Sequence, residues 1–181
     1  MYKLVRFIIV KLYILCASLV VMILRQHGMI SRKDAQIMSY FRNNARRKIT
    51  FIAKETKIPL TTIYDKVRSH EKRFFKRYVS LLDFQNLGLN AKSHVAIAVE
   101  RDSKESLQRF LMDNPNVNSL SKVNWGYDFL AEVVFKNLGE VQNFTENLEK
   151  SYNISQIRIF NVIEELKKED FLTKPDHIDL I

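Results

Sequence analysis

The residues best suited to chemistry in this chain are cationic, and they are concentrated in one segment. Between Arg42 and Arg77 the sequence holds 12 Lys and Arg residues against three acidic residues, whereas the whole chain has 29 basic and 20 acidic residues. This segment therefore carries the entire excess of nine positive charges. Concentrated cations bind a polyanion well, because each phosphate they neutralise releases condensed counterions. The segment predicts a contact with nucleic acid, and a solvated basic face without a partner is the alternative.

Other kinds of chemistry have little support in the sequence. A single cysteine, Cys16, excludes an internal disulfide and a cysteine cluster for zinc. The four histidines are far apart and show neither HxxxH nor HExxH spacing, so we predict no metal site. They are His27, His70, His94 and His177. The chain also lacks a nucleophile motif and a phosphate-binding loop, and we predict that it is not an enzyme and needs no cofactor.

The first of the helices that must position the cations begins near Ser31. Ser31 is a good N-cap, and Asp34 stands three residues later in the place of a capping-box acid. Apolar residues then recur on one helical face, which predicts a helix over residues 31–43. These apolar residues are Ile37, Met38 and Phe41.

Two further helices follow, separated by a tight turn. The first spans residues 50–56, and its predicted inward residues are Phe51, Ile52 and Ala53. It ends at Lys57-Ile58-Pro59, because proline lacks an amide hydrogen and disfavours helix in the preceding residue. The next helix extends to about Arg73, with Thr61 or Thr62 as its N-cap; its apolar face consists of Ile63, Val67, His70 and Phe74. An apolar back and a basic front predict a helix-turn-helix unit whose front lies in the major groove of DNA.

The cations and the front of the third helix have different expected roles. Phosphate contacts set register and affinity without reading sequence. Seven cations are placed for them: Arg46, Arg47, Lys48, Lys72, Arg73, Lys76 and Arg77. Base edges are read by side chains in the groove, and the candidates are Thr61, Thr62, Tyr64, Asp65 and Arg68. Lys66 completes the predicted set of DNA-binding residues.

Beyond residue 92 the strand and helix patterns alternate regularly. We predict strands over residues 94–100, 117–125, 129–135 and 154–163, with amphipathic helices over residues 103–112 and 138–151. The order βαββαβ is that of a ferredoxin-like unit, in which two helices cover one face of a four-stranded antiparallel sheet. Because no helix covers the other face, we expect two copies to pair as a symmetric homodimer.

The predicted fold class is α+β, with an N-terminal helix-turn-helix domain followed by a ferredoxin-like βαββαβ domain. We place the helix-turn-helix domain at residues 29–76 and the ferredoxin-like domain at residues 93–164. Residues 77–92 are expected to form a linker strand and connector, and residues 165–181 a solvated tail.

The first 28 residues differ in composition from the rest of the chain. Residues 7–24 are apolar except for Lys11 and a few mildly polar side chains, which approaches the length of a membrane span. Three interpretations remain: a start codon placed too early with Met29 as the true start, a single membrane anchor, or a signal peptide. We expect a cytoplasmic protein, which would be anchored to the membrane if residues 1–28 are translated.

Short motifs occur in a fixed order from Ser31 to about Ile163. In the first domain they are Asp34-Ala-Gln-Ile37, Asn44-Ala-Arg46, Ile52-Ala53, Thr62-Ile63 and Lys66-Val67. They continue through Tyr78, Leu82-Asp83, Leu87-Gly88, Pro115-Asn116-Val117, residues 123–128 and Phe144. In the order and spacing of these motifs over both predicted domains, the chain resembles the Lrp/AsnC family of transcription regulators.

The resemblance implies a regulator that binds double-stranded DNA and whose second domain drives dimerisation and assembly into tetramers or octamers. It also implies an amino-acid effector bound near one loop, here Asn124, Gly126, Tyr127 and Asp128. A plain hairpin turn is the alternative for that loop. Sirohaem decarboxylases share the two-domain architecture, so an enzyme is one alternative function. A membrane-anchored regulator and a ligand-binding module that no longer contacts DNA are the others.

Overall fold

The computed structural model describes residues 30–174 and residue 177. They divide into two compact units, one extending to Val79 and including the chain from Glu169 onward, the other spanning Ser80–Lys168. The apolar stretch over residues 7–24 lies outside the described residues. Within residues 30–174, no helix has the length and apolarity needed to cross a bilayer.

The first unit, the helical unit, contains three helices: α1 (Arg32–Asn43), α2 (Ile49–Thr56) and α3 (Leu60–Arg73). The predicted N-cap of α1 is confirmed, because the Ser31 hydroxyl accepts the backbone N–H of Asp34 at 3.2 Å. An apolar core joins the three helices and the turn between α2 and α3. Its buried members are Ile37, Phe41, Ile52, Ile58, Ile63 and Val67.

The predicted cap of α3 is wrong. The helix begins at Leu60 with Pro59 in the N-cap position and no side-chain cap, so Thr61 and Thr62 lie inside the first turn. Proline starts a helix without a side-chain cap because its φ, here −54°, already suits the helix and its missing N–H has no partner there to lose. Just before it, Lys57 ends α2 in the left-handed region with a φ of 55°, a position that favours glycine.

The predicted inward orientation of Phe51 is also wrong. Phe51 is 40% exposed, whereas Ile52 is fully buried. Helix α2 has only eight residues, and adjacent residues on a helix point about 100° apart, so one residue of the pair must turn away from the core.

The second unit, the sheet unit, is a four-stranded antiparallel sheet with two helices, and its element order βαββαβ is the predicted one. The strands are β1 (Ala91–Val99), β2 (Val117–Lys122), β3 (Phe129–Phe135) and β4 (Ile154–Asn161), and the helices are α4 (Lys104–Asp113) and α5 (Leu138–Ser151). A short 3₁₀ turn, Arg101–Ser103, precedes α4. The strand order is β2-β3-β1-β4, which leaves β1 and β3 in the centre.

The core of the second unit lies between the sheet and its two helices. Val95 sits between Ala131 of β3 and Ile159 of β4 in the register, and all three belong to this core or pack against it. Leu107, Leu111, Val141, Phe144 and Leu148 meet the strands from the helices. Phe129 is the largest fully buried side chain.

Some predicted strand ends are shifted. Strand β1 begins at Ala91, three residues before the predicted start, because its early residues pair with the end of β3. Strand β2 stops at Lys122, which pairs with Phe129 as the chain turns into β3. The predicted linker strand is absent, since residues 74–90 contain turns and no strand; extended chain needs a hydrogen-bonded neighbour to become a strand.

The predicted solvated tail is wrong at Leu172, although most of residues 165–174 are exposed. Leu172 is only 8% exposed, and Arg42 at the end of α1 donates from Nε to the carbonyl oxygen of Phe171 at 3.1 Å. Arg42 also forms an ion pair with Glu169. The apolar pair Phe171-Leu172 was the available sequence signal for this packing.

Candidate nucleic-acid interface

The front of α3 is exposed, as a base-reading surface must be. Ile63, Val67 and His70 are buried on the back of the helix. Tyr64 is 58% exposed. Thr62 is half-buried. The other predicted base-edge and phosphate residues of this helix are exposed: Thr61, Asp65, Arg68, Lys72 and Arg73. The geometry leaves donors, acceptors and a methyl group available for base edges.

The cations of the first unit are mostly unpaired. Of the 12 Lys and Arg residues from Arg42 to Arg77, only Arg42 and Lys66 form ion pairs with the described part of the chain. Two others lie against aromatic rings: the guanidinium of Arg47 is 4.8 Å from the Phe51 ring centroid, and that of Arg73 is 5.1 Å from that of Phe74. Unpaired cations at this density repel one another, and an external polyanion relieves that repulsion.

Arg46, Arg47 and Lys48 occupy the turn that leads into α2. The side-chain oxygen of Asn44 accepts the backbone N–H of Arg46 at 2.9 Å, and the Asn44 carbonyl accepts that of Arg47 at 2.9 Å. Lys48 is the N-cap residue of α2. These three predicted phosphate contacts are therefore consecutive residues on a hydrogen-bonded turn.

Lys66 has a structural partner that its predicted role did not anticipate. Its ammonium lies 2.7 Å from a carboxylate oxygen of Asp34 on α1, and Nε2 of His70 lies 2.9 Å from the same oxygen. Burial acts to raise the pKa of Asp34, but hydrogen bonds from Lys66, Ser31 and His70 outweigh it and hold that pKa well below its usual range. Asp34, assigned from the sequence only to the helix cap, thus ties α1 to α3.

The predicted effector residues lie on the β2–β3 hairpin loop. Trp125 and Gly126 both have positive φ, 63° and 83°, and Trp125 is 93% exposed. Asn124 and Gly126 are exposed, and Tyr127 is half-buried. Glycine adopts this conformation without strain, whereas tryptophan does not. Trp125 was predicted to end the strand over residues 117–125, but β2 stops at Lys122 and the Trp125 side chain projects from the loop into solvent.

Asp128 at the end of this loop is paired with the ammonium group of Lys104. Its carboxylate forms an ion pair with Lys104 at the start of α4 and accepts the backbone N–H of Val99 at 3.0 Å. The hydrogen bond from Lys104 is the main reason that the pKa of Asp128 is lowered. An effector ammonium at Asp128 would have to compete with Lys104, a residue that sequence spacing did not connect to this loop.

No group of three metal-ligating side chains occurs among residues 30–174 and 177. His94, raised in the sequence analysis, lies on β1 opposite Glu132 of β3 and is half-buried.

Comparison with known proteins agrees with this architecture. The family model of the Lrp/AsnC ligand binding domain matches residues 93–171. An uncharacterized HTH-type transcriptional regulator of Pyrococcus abyssi is 22% identical over 148 residues, which are 81% of this chain and 100% of that protein. The glutamate uptake regulatory protein of Zymomonas mobilis is 22% identical over 150 residues, covering 81% of this chain and 92% of that protein.

Solved structures share the fold. Escherichia coli AsnC superposes with a TM-score of 0.70 at 16% identity, covering 78% of this chain and 97% of that one. Taken together, the family model over residues 93–171, the relatives matched along most of the chain and the common fold support the Lrp/AsnC family of transcription regulators for this chain.

Proposed function

We propose that this protein is a sequence-specific, DNA-binding transcription regulator that acts in the cytoplasm as a dimer or higher oligomer. The observation that carries the proposal is the surplus of unpaired cations on the helical unit, which also presents the exposed front of α3. One relative is an HTH-type transcriptional regulator by name and another is a regulatory protein by name, which supports a regulator rather than an enzyme.

The two groups of predicted contacts have different roles in DNA binding. Cations on the turn before α2 and at the end of α3 neutralise phosphates and set the register. The front of α3 reads base edges: Arg68 can fork onto a guanine, and a threonine methyl can meet the methyl group of thymine. In a two-fold dimer the two α3 helices would read half-sites about one helical turn apart.

The open face of the sheet supplies a surface for the second copy. Phe160 on β4 is 53% exposed, and the small residues Ala96 and Ala98 line the same side of β1. Small residues beside an exposed aromatic ring permit close approach of a second sheet. A dimer through this face is the oligomer that the proposal requires.

The hairpin loop is the proposed site for an amino-acid effector. A transcriptional regulator of Neisseria meningitidis with the same fold, at a TM-score of 0.71, was solved as a complex with L-Met. In this chain the loop offers Asn124, Gly126, Tyr127 and the Asp128–Lys104 pair. Calorimetric titration with single amino acids tests this part, and Lys104→Ala should change the affinity for any amino acid that binds.

The main test is binding of the purified protein to DNA from upstream of its own gene. The DNA is titrated at several salt concentrations, with random DNA as competitor. A specific regulator binds the upstream DNA in preference and loses affinity steeply as salt rises. Arg68→Ala should relax the sequence preference, whereas Arg47→Ala should weaken binding to every sequence. Equal losses on all sequences for both variants would contradict this division of roles.

A further inference from the structure

Arg47 is held in an unusual environment for a surface cation. It forms no ion pair with residues 30–174, and its Nε is buried without a hydrogen-bond partner there. The guanidinium lies 4.8 Å from the centroid of the Phe51 ring, within the range of a cation–π contact. The side chain is therefore packed on one side and lacks an anion.

Phe51 is fixed in turn by α1. The rings of Tyr40 and Phe51 form a T-shaped contact, with their centroids 6.2 Å apart and their planes at 74°. Phe51 is 40% exposed, and the buried core of the helical unit does not include it. A large aromatic side chain at that position adds little to the core. The position of Phe51 is explained instead by its contact with the Arg47 guanidinium.

The backbone of Arg47 is restrained as well. Its N–H donates to the Asn44 carbonyl at 2.9 Å, and the next residue, Lys48, occupies the N-cap position of α2, where its carbonyl accepts the backbone N–H of Phe51 at 3.0 Å. Backbone and guanidinium are thus held before any ligand arrives. A cation that is already ordered loses less conformational entropy when an anion binds.

We propose that Phe51 is a positioning residue that holds the guanidinium of Arg47 in place for one phosphate of the DNA backbone. This inference rests on the proposed DNA-binding function, to which it adds Phe51 as a residue that positions a phosphate contact. The first helix of a helix-turn-helix unit crosses the DNA backbone, and Arg47 stands at the start of that helix, α2. The planar fork of arginine matches the geometry of a phosphate.

The test uses the full protein and a random-sequence DNA duplex, because a phosphate contact does not depend on base sequence. Affinity is measured over a range of salt concentrations for the natural protein and for Phe51→Leu, Phe51→Tyr, Arg47→Ala and the double variant Arg47→Ala/Phe51→Leu. Arg101→Ala, which removes an exposed arginine from the sheet unit, is the charge control. Thermal unfolding of each variant shows whether it is folded.

Phe51→Leu should weaken binding about threefold to tenfold, and Phe51→Tyr should keep the natural affinity. Arg47→Ala should weaken binding more and lower the slope of log affinity against log salt by about one. The Leu substitution should have little further effect once Arg47 is absent, since it acts through Arg47. Arg101→Ala should leave both affinity and slope nearly unchanged.

Natural affinity for a folded Phe51→Leu protein would overturn the inference. So would an effect of Phe51→Leu that is the same with and without Arg47, because Phe51 would then act on something else. Failure of the natural protein to prefer upstream DNA would contradict the sequence-specific function alone, since the random duplex still measures the contact. Failure to bind any DNA at low salt would overturn both.

Discussion

The two units of this protein use charge in opposite ways. In the sheet unit, residues 80–168, 12 acidic residues outnumber ten basic ones, and lysines bridge neighbouring elements. Lys92 contacts both Glu132 and Glu165, and Lys104 holds Asp128. In the helical unit, ten of the 12 cations between Arg42 and Arg77 form no ion pair with the described residues.

The difference shows what each set of charges contributes. The Lys92 and Lys104 pairs join neighbouring elements within one unit. The more exposed Lys104–Asp128 pair adds little free energy, whereas the side chains of Lys92 and Glu132 are largely buried. The cations of the helical unit bring repulsion instead of attraction, which only a counter-charge from outside removes. A polyanion is the partner that such a surface fits. Reversing charges on one unit or on the other tests this interpretation.

The largest expected effect comes from reversing charge on the helical unit. Arg46→Glu with Lys48→Glu should weaken DNA binding about 100-fold at physiological salt, because attraction to phosphates becomes repulsion. The matched control, Arg101→Glu with Arg109→Glu, makes the same change in net charge on the sheet unit and should cost less than about threefold. Fluorescence anisotropy on one duplex measures both. Similar losses for the two pairs would show that net charge alone controls binding.

Asp34 tests a place where the helical unit pairs charges between two helices. Asp34→Asn should lower the free energy of unfolding by about 2 kcal/mol, since Lys66 and His70 lose a charged acceptor. Urea unfolding at neutral pH measures this, with the exposed Glu55→Gln as control.

The same carboxylate predicts a pH dependence. The pKa of Asp34 is lower in the folded protein than its usual 3.8, so its contribution to stability is full above about pH 5 and is lost as pH falls below that value. The Asp34→Asn protein should lose less stability than the natural protein over this acid range. Parallel curves for the two proteins would show that Asp34 is not the group responsible.

Leu172 tests whether the chain from Glu169 onward belongs to the helical unit. Leu172→Ala should destabilise that unit by about 2 kcal/mol, because it removes a buried side chain. Phe171→Ala is the matched control: its side chain is 59% exposed, and its carbonyl still accepts from Arg42. Hydrogen exchange should show faster opening of α1–α3 in the Leu172 variant, and equal exchange in both variants would argue against this packing.

The smallest expected effect concerns the turn before α3. Lys57→Gly should stabilise the protein by about 0.5 kcal/mol, because glycine adopts a φ of 55° without strain but loses more entropy on folding. Lys54→Gly also removes one cation but lies inside α2, where it should cost about 1 kcal/mol. Opposite shifts in the unfolding temperature are expected, and shifts of the same sign would contradict the strain at Lys57.

Much of the fold was predictable because it is encoded locally. The Ser31 cap, the termination of α2 before Pro59 and the exact limits of β3 and α5 follow from short-range patterns of capping, proline geometry and apolar spacing. The errors arose where a residue's orientation or a strand's limits depended on its neighbours in the folded protein. Phe51 turned outward because Ile52 filled the core, and β1 began early because β3 was there to pair with it.

The candidate interface was predictable as a segment but less so residue by residue. Charge density located the cations, and helical spacing placed Arg68 and Tyr64 opposite the buried back of α3. Lys66 carried the same charge and stood on the same helix, yet its ammonium is bound by Asp34. Sequence spacing on one helix cannot reveal a partner on another.

Local sequence patterns set the order of elements, the helix-turn-helix pattern and the location of the charge excess, because these depend on residues within a few turns of one another. The pairing of charges depends on tertiary packing. Asp34 meets Lys66 and His70 from another helix, and Arg42 meets Glu169, which lies 127 residues away along the chain. The physical reason is that an ion pair depends on the distance between two side chains in the folded protein, and only packing sets that distance.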